Sequence, residues 1–234
     1  MTPQKPLTRA TQRSPAAVAA WLARDYPAIA RRARRERAVI YWGDETGISN
    51  RDQIGRSYAP RGRTPVVGRT AKRITQSMIS AVSNRGLMRF MLYDGALDVA
   101  RFLTFLRRLI KDAAPKVFLV VDNLKVHHAR KVKAWVQSHR HEIELFYLPA
   151  YAPEHNPDEY LNNDVKQKLR QKPQSDCKDE LLAKTRTVLR APFSAHRLAC
   201  AATSGPSPSS TRPDVRYSIG ILVSRRWPHA PSKS

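Results

Sequence analysis

Three acidic residues stand where a chain could carry out phosphoryl chemistry. Asp44 closes the apolar run AVIYWG, and Asp122 closes KVFLVV. Glu159 opens DEYLNNDVKQKLR, just beyond IELFYLP and a proline-rich stretch. Each alone has an ordinary explanation. An acid after a strand commonly serves a turn, and an acid in a helix's first turn complements the helix dipole. Together they form a pattern. In an open α/β sheet, strand ends and the following helix starts gather along one edge, where sites form. Asp44 and Asp122 are expected to be neighbours there across 77 intervening residues, with Glu159 completing the set.

Three carboxylates packed together repel, and at least one would retain a proton. Divalent cations remove that difficulty. Magnesium takes oxygen ligands, usually one or two carboxylates with water and phosphate. Two such ions about 3.5–4 Å apart can activate a water or a 3′-hydroxyl and stabilise the leaving oxygen in phosphoryl transfer. Glu45 and Asp158 are adjacent competitors for these roles. If the strand persists, Asp44 and Glu45 face opposite ways. Asp164 sits well around the helix from Glu159 and reads as surface. His127 and His128 follow Asp122 closely; a metal role and a structural or phosphate-contact role both remain open, the second favoured because no cysteine or third histidine is near. A two-carboxylate glycosidase would need a sugar cleft, which the basic composition and few aromatics oppose.

The charge balance agrees with a phosphate-bearing partner. The 234 residues hold 42 Lys and Arg against 19 Asp and Glu, a formal net charge of +23. Such a field attracts polyanions, nucleic acid first. Lys and Arg would hold DNA phosphates that the acids alone would repel. No apolar run approaches the ~18 residues of a membrane span, and the N-terminus lacks an apolar signal core. Cys177 and Cys200 suggest neither a disulfide framework nor a zinc site, so a reducing cytosol fits.

The elements that must position the acids follow from periodicity. Ser14-Pro15 reads as a helix N-cap and first residue. AAVAAWLARDYPAIARRARRER then runs at helical spacing with a break expected at Pro27. Its RRARRER block reads equally as a solvated face or a DNA-backbone contact. AVIYWGDET is a strand. Residues 47–73 read as loop with a small β excursion at TPVVG. SMISAVSN and LMRFMLYDG form a hairpin around Arg85-Gly86. DVARFLTFLRRLIKDA is an amphipathic helix with Val99, Phe102, Leu103, Leu106 and Ile110 on one face. KVFLVVDN is a strand, HARKVKAWVQSHR a basic helix, IELFYLP a strand and DEYLNNDVKQKLR a helix. Strands with crossover helices imply an α/β fold, a mixed sheet covered on both faces. Residues 1–37 are expected to form a basic N-terminal helical segment, 38–190 the catalytic domain and 191–234 a poorly ordered tail.

GDETG (43–47), VVDNLKVHHARKV (120–132) and LPAYAPEHNPDEYLNNDVK (148–166) resemble the DDE-type transposases of bacterial insertion sequences, in the branch related to the Tc/mariner group. The third motif of that branch reads LP-x-YSPELNP-x-E before a helix, and the 36 residues between Asp122 and Glu159 are close to its usual spacing. GRSYAPRGRTPVV (55–67) and ISAVSNRG (79–86) look like its intervening segments. The resemblance implies an RNase H-like fold with two magnesium or manganese ions. Asp44, Asp122 and Glu159 would be the catalytic and metal-binding acids, Asn123 would follow the second acid, and Asn156-Pro157 would form the NP turn. Tyr151, Pro153 and Pro157 would stiffen the loop before Glu159. Transposon ends and target DNA are the implied partners, with dimerisation and a bacterial cytoplasmic, nucleoid-associated location. Arg31, Arg32, Arg34, Arg35, Lys125, Arg130, Lys131 and Lys166 are the expected DNA contacts. Family members commonly begin with a helix-turn-helix region, expected to be missing here. His155 occupies a usually apolar place, and the tail, apart from PDVRY, does not read like the family's last helix, as in a degraded or frameshifted copy. The rival expectations are a DNA-binding remnant without catalysis and a basic structural protein of nucleoid or ribosome.

Overall fold

The computed structural model describes residues 14–53, 58–64, 66, 68, 70–112, 116–150 and 156–191. Five strands form one mixed sheet: β1 (Ala38–Ser49), β2 (Thr75–Ser83), β3 (Met88–Tyr93), β4 (Lys116–Val121) and β5 (Ile143–Tyr147), in the order β3-β2-β1-β4-β5. The hairpin pairs β1, β2 and β3 antiparallel, whereas β4 and β5 run parallel to β1. Gly86 closes the hairpin at φ 77°, a left-handed conformation that costs glycine little. The Ser83 side chain accepts from the Arg85 and Leu87 amides in the same turn.

Side chains alternate across β1, so each of its faces meets a different layer. Val39 and Tyr41 join Leu119, Val121 and Ile143 beneath α3 (Val99–Asp112) and α4 (Arg130–Ser138). The seam of α3 is Phe102, Phe105, Leu106 and Leu109, all buried, which is the spacing of one helix face. The expected face is therefore rotated: Val99, Leu103 and Ile110 pack at its margin. On the opposite side, Ile40, Trp42, Phe118 and Val120 receive the N-terminal helices. Further along that side, Ile48, Met78 and Val82 receive α5 (Asp158–Arg170) and α6 (Lys178–Arg190). Helix α6 lies beyond the expected order of elements; Leu181, Val188 and Leu189 bury its apolar face.

The N-terminal segment stays helical through Pro27. α1 (Pro15–Ala20), capped by the Ser14 side chain, passes into a π turn at Trp21–Asp25 and then α2 (Tyr26–Arg35). Pro27 can donate no backbone bond, and the wider turn directly before it spreads the mismatch instead of ending the helix. Trp21 and Tyr26 close over Trp42 at ring separations of 5.9 and 5.2 Å. Asn84 accepts from Trp42 Nε1 at 2.7 Å and donates to the Tyr26 hydroxyl at 3.2 Å. The described residues of TPVVG carry no strand. The tail from 192 onward and Tyr151, Pro153 and His155 lie outside the described residues. Among the described residues no helix is long and apolar enough to cross a membrane.

Candidate active site

Asp44 lies within β1, two residues past Trp42, where the pairing with β4 ends. Trp42 pairs with Val120 in parallel register, and continuing that register by two residues brings Asp44 opposite Asp122. Gly43 makes this packing close. A Cβ there would stand 3.3 Å from Leu119 Cδ1 and 3.4 Å from the Ser80 carbonyl. Strand alternation sends Asp44 toward α5 and Glu45 toward α3 and α4, as expected for a persisting strand.

The start of α5 is tied to this edge by its own polar side chains. Buried Asn156 donates through Nδ2 to the Gly43 carbonyl at 3.0 Å and accepts the Asp158 amide at 3.1 Å. It thus links the residue before Asp44 to the residue before Glu159. Ser80, paired with Asp44 across the hairpin, donates to Asp158 Oδ2 at 2.6 Å. Asn162 donates to Asp44 Oδ2 at 2.9 Å.

The electrostatics follow from that crowding. Burial raises the Asp44 pKa from its ordinary 3.8 to about 7, and repulsion from Glu159, Glu45 and Asp122 adds to it. Burial also drives Asp158 well above its ordinary value, against the Ser80 bond and with help from Asp44, Glu159 and Glu45. Asp158 is fully buried, and its Oδ1 has no hydrogen-bond partner. Asp122 goes the other way. Burial opposes its charge, but hydrogen bonds from His127 and the Leu124 amide outweigh it and lower its pKa.

His127 is the residue whose place the sequence left open. It is 1% exposed and packs 4.5 Å from the Phe102 ring. Its Nε2 lies 3.0 Å from Glu45 Oε1 and its Nδ1 3.1 Å from Asp122 Oδ1. Burial works against a charge on the ring, but the bonds to Asp122 and Glu45 outweigh it and raise its pKa from 6.5 to about 9. Among the described residues, Glu45, Asp122 and His127 form a set whose ligand atoms lie within 4.8 Å of one another. Both ring nitrogens already face carboxylate oxygens, which accept hydrogen bonds. The ring therefore acts as a double donor, and no lone pair is left for a metal. Asp44 stands outside this knot because strand alternation turns it to the other face of β1, where it meets Asn162 of α5.

A hard divalent cation suits this edge. Its donors are carboxylate oxygens, the ligand type magnesium and manganese prefer. Asp44 is raised first by burial and then by Glu159, Glu45 and Asp122, so several acids bear on this edge. Glu45 and Asp122, whose ligand oxygens lie within 4.8 Å of one another, could supply two of these donors.

The other expected contacts are distributed unevenly. Arg31, Arg34, Arg35, Lys125, Arg130 and Lys131 are exposed, and Lys166 is half-buried. Arg32 grips Glu144 with two bonds of 2.9 and 2.6 Å and Glu36 with one of 2.9 Å, with its guanidinium 5.0 Å from the Phe118 ring. Those bonds pin α2 to β5. Asn123 donates to the Leu148 carbonyl, and His128 stacks on Tyr147 at 4.2 Å. Asp164 pairs with Lys168 at 2.7 Å on the half-exposed flank of α5. Sequence reasoning missed Ser80 and Asn162. Ser80 carries no local signal, whereas Asn162 lies three residues beyond Glu159 and so shares its helix face.

A mixed five-stranded sheet flanked by helices, with acids gathered at one edge, is the architecture of RNase H-like transposase catalytic domains. The chain belongs to the DDE superfamily endonuclease family, whose model matches residues 39–182. Its fold is similar to that of the Mos1 transposase paired-end complex with left transposon end, at 16% identity and a TM-score of 0.63, covering 86% of this chain and 62% of that one. The Mos1 mariner paired end complex with Mn is similar at 16% identity and a TM-score of 0.60, with 89% and 68% covered. The isolated catalytic domain of Mos1 mariner transposase gives 16% identity and a TM-score of 0.51, with 75% and 82% covered. The chain thus spans less than two thirds of the length of the first of these. No curated protein sequence matches it significantly.

Proposed function

We propose that this chain is the catalytic part of a DNA transposase of a bacterial insertion sequence, acting at the nucleoid. The reaction is hydrolysis of a DNA phosphodiester followed by attack of the freed 3′-hydroxyl on target DNA. In the first step water adds to phosphorus, the 3′-oxygen leaves and takes up a proton. In the second that hydroxyl loses its proton, bonds to a target phosphorus and displaces another 3′-oxygen. The observation carrying this reading is the set of hydrogen bonds that ties α5 and its lead-in to the strands around Asp44: Asn156 to Gly43, Ser80 to Asp158 and Asn162 to Asp44. Family membership and likeness to transposase structures that hold transposon ends or manganese support it.

Two magnesium or manganese ions, when bound, would lower the pKa of the attacking oxygen and stabilise the leaving one. Asp44, Asp122 and Glu159 would hold them. Asn156 would keep Glu159 at a set distance from Asp44, and placement matters because an error of about 1 Å can cost on the order of 100-fold in rate. Exposed Arg31, Arg34, Arg35, Lys125, Arg130 and Lys131 would neutralise DNA phosphates. Dimerisation belongs to the same proposal.

The test is nicking of supercoiled plasmid in manganese. The unaltered chain is expected to nick, and Asp44→Ala, Asp122→Ala and Glu159→Ala to abolish nicking. Nicking that survives all three substitutions overturns the site. Tight, salt-dependent DNA binding without any nicking by the unaltered chain identifies a non-catalytic remnant instead.

A further inference from the structure

Asn162 is 3% exposed on α5, one turn beyond Glu159, among the apolar residues Leu161, Val165 and Leu169. Its Nδ2 bonds Asp44 Oδ2 at 2.9 Å. Its Oδ1 is buried with no hydrogen-bond partner. A buried polar atom left unpaired is unfavourable, and an apolar side chain would avoid it. The amide's favourable contribution is therefore the bond to Asp44.

Two other tethers join the same helix to the same strands, Asn156 on Gly43 and Asp158 on Ser80. Those two hold the start of α5. The third holds a carboxylate itself. From this geometry we infer that Asn162 is a positioning residue: it orients the Asp44 carboxylate from the helix that carries Glu159, so that both acids meet a divalent cation as one preformed unit. The inference rests on the function proposed above. A neutral amide suits the role because it donates to Asp44 without adding a positive charge that would compete with the cation. Partners that orient metal-binding carboxylates commonly alter metal affinity by about 10–100-fold when removed.

The experiment compares manganese binding by calorimetry with melting in chelator for the unaltered chain, Asn162→Leu and Asp44→Asn. Asn162→Leu is expected to melt close to the unaltered chain in chelator while binding manganese at least about 10-fold more weakly. Binding within about twofold of the unaltered chain overturns the inference, by the same scale. If Asp44→Asn loses manganese while Asn162→Leu keeps it, the proposed function stands and the positioning role falls. If the unaltered chain binds no manganese, both fall. Should Asn162→Leu not fold, the unaltered chain decides by nuclear magnetic resonance. The Asn162 side-chain amide is expected to shift on addition of magnesium. An amide unmoved while the Asp44 and Glu159 backbone signals shift refutes the role.

Discussion

Replacing Asp44 with asparagine is expected to make the metal-free protein more stable at neutral and alkaline pH. The Asp44 pKa is raised from 3.8 to about 7 on folding. A carboxyl with a raised folded pKa holds its proton after the unfolded chain has released its own. Stability therefore falls as pH climbs from about 4 and levels off above about 7. At about 1.4 kcal/mol per pKa unit, the full span corresponds to about 4 kcal/mol, of which about 3 kcal/mol is lost between pH 5 and pH 8. Asp158, also raised, pushes in the same direction. His127, raised from 6.5 to about 9, contributes stability below 6.5 that is lost toward 9, again falling with pH. Both groups remain in Asp44→Asn, so their shares largely cancel in the difference between the two proteins. The assay is urea denaturation in chelator at both pH values. The variant's advantage is expected to grow by about 3 kcal/mol from pH 5 to pH 8. At pH 8 it would melt higher by roughly 8–16 °C for a chain of this size. An advantage that stays constant to within about 0.5 kcal/mol would show that Asp44 is not crowded as described.

Two further outcomes follow from the packing and the charge. Gly43→Ala would place a Cβ 3.3 Å from Leu119 Cδ1, a side-chain end that need give only a few tenths of an ångström; the denaturant midpoint should move by less than about 1 kcal/mol, and a loss of several kcal/mol would show that Leu119 cannot yield. Replacing exposed Arg31, Arg34 and Arg35 together by alanine should flatten the slope of log affinity for duplex DNA against log salt by up to about 3, and an unaltered slope would remove α2 from the DNA surface.

Much of the architecture is local and so readable from the chain alone. The apolar run of AVIYWGDET, the hairpin at Arg85-Gly86 and the helical spacing of DVARFLTFLRRLIKDA are each legible within a few consecutive residues. The ordered motifs around residues 44, 122 and 159 pointed to the family for the same reason, since each is contiguous. The break expected at Pro27 does not occur, because its missing donor is a local fact whereas its accommodation after a π turn is not.

What folding alone decided is how distant residues pair. Arg32 finds Glu144 across 112 positions, His127 joins Glu45 to Asp122, Ser80 meets Asp158, and Asn162 reaches Asp44. None of these pairings follows from spacing along the chain. They arise where strand register and helix docking bring side chains within a few ångströms. Burial there changes which acid keeps its proton, which is why Asp44 and Asp122, equivalent as letters, titrate in opposite directions.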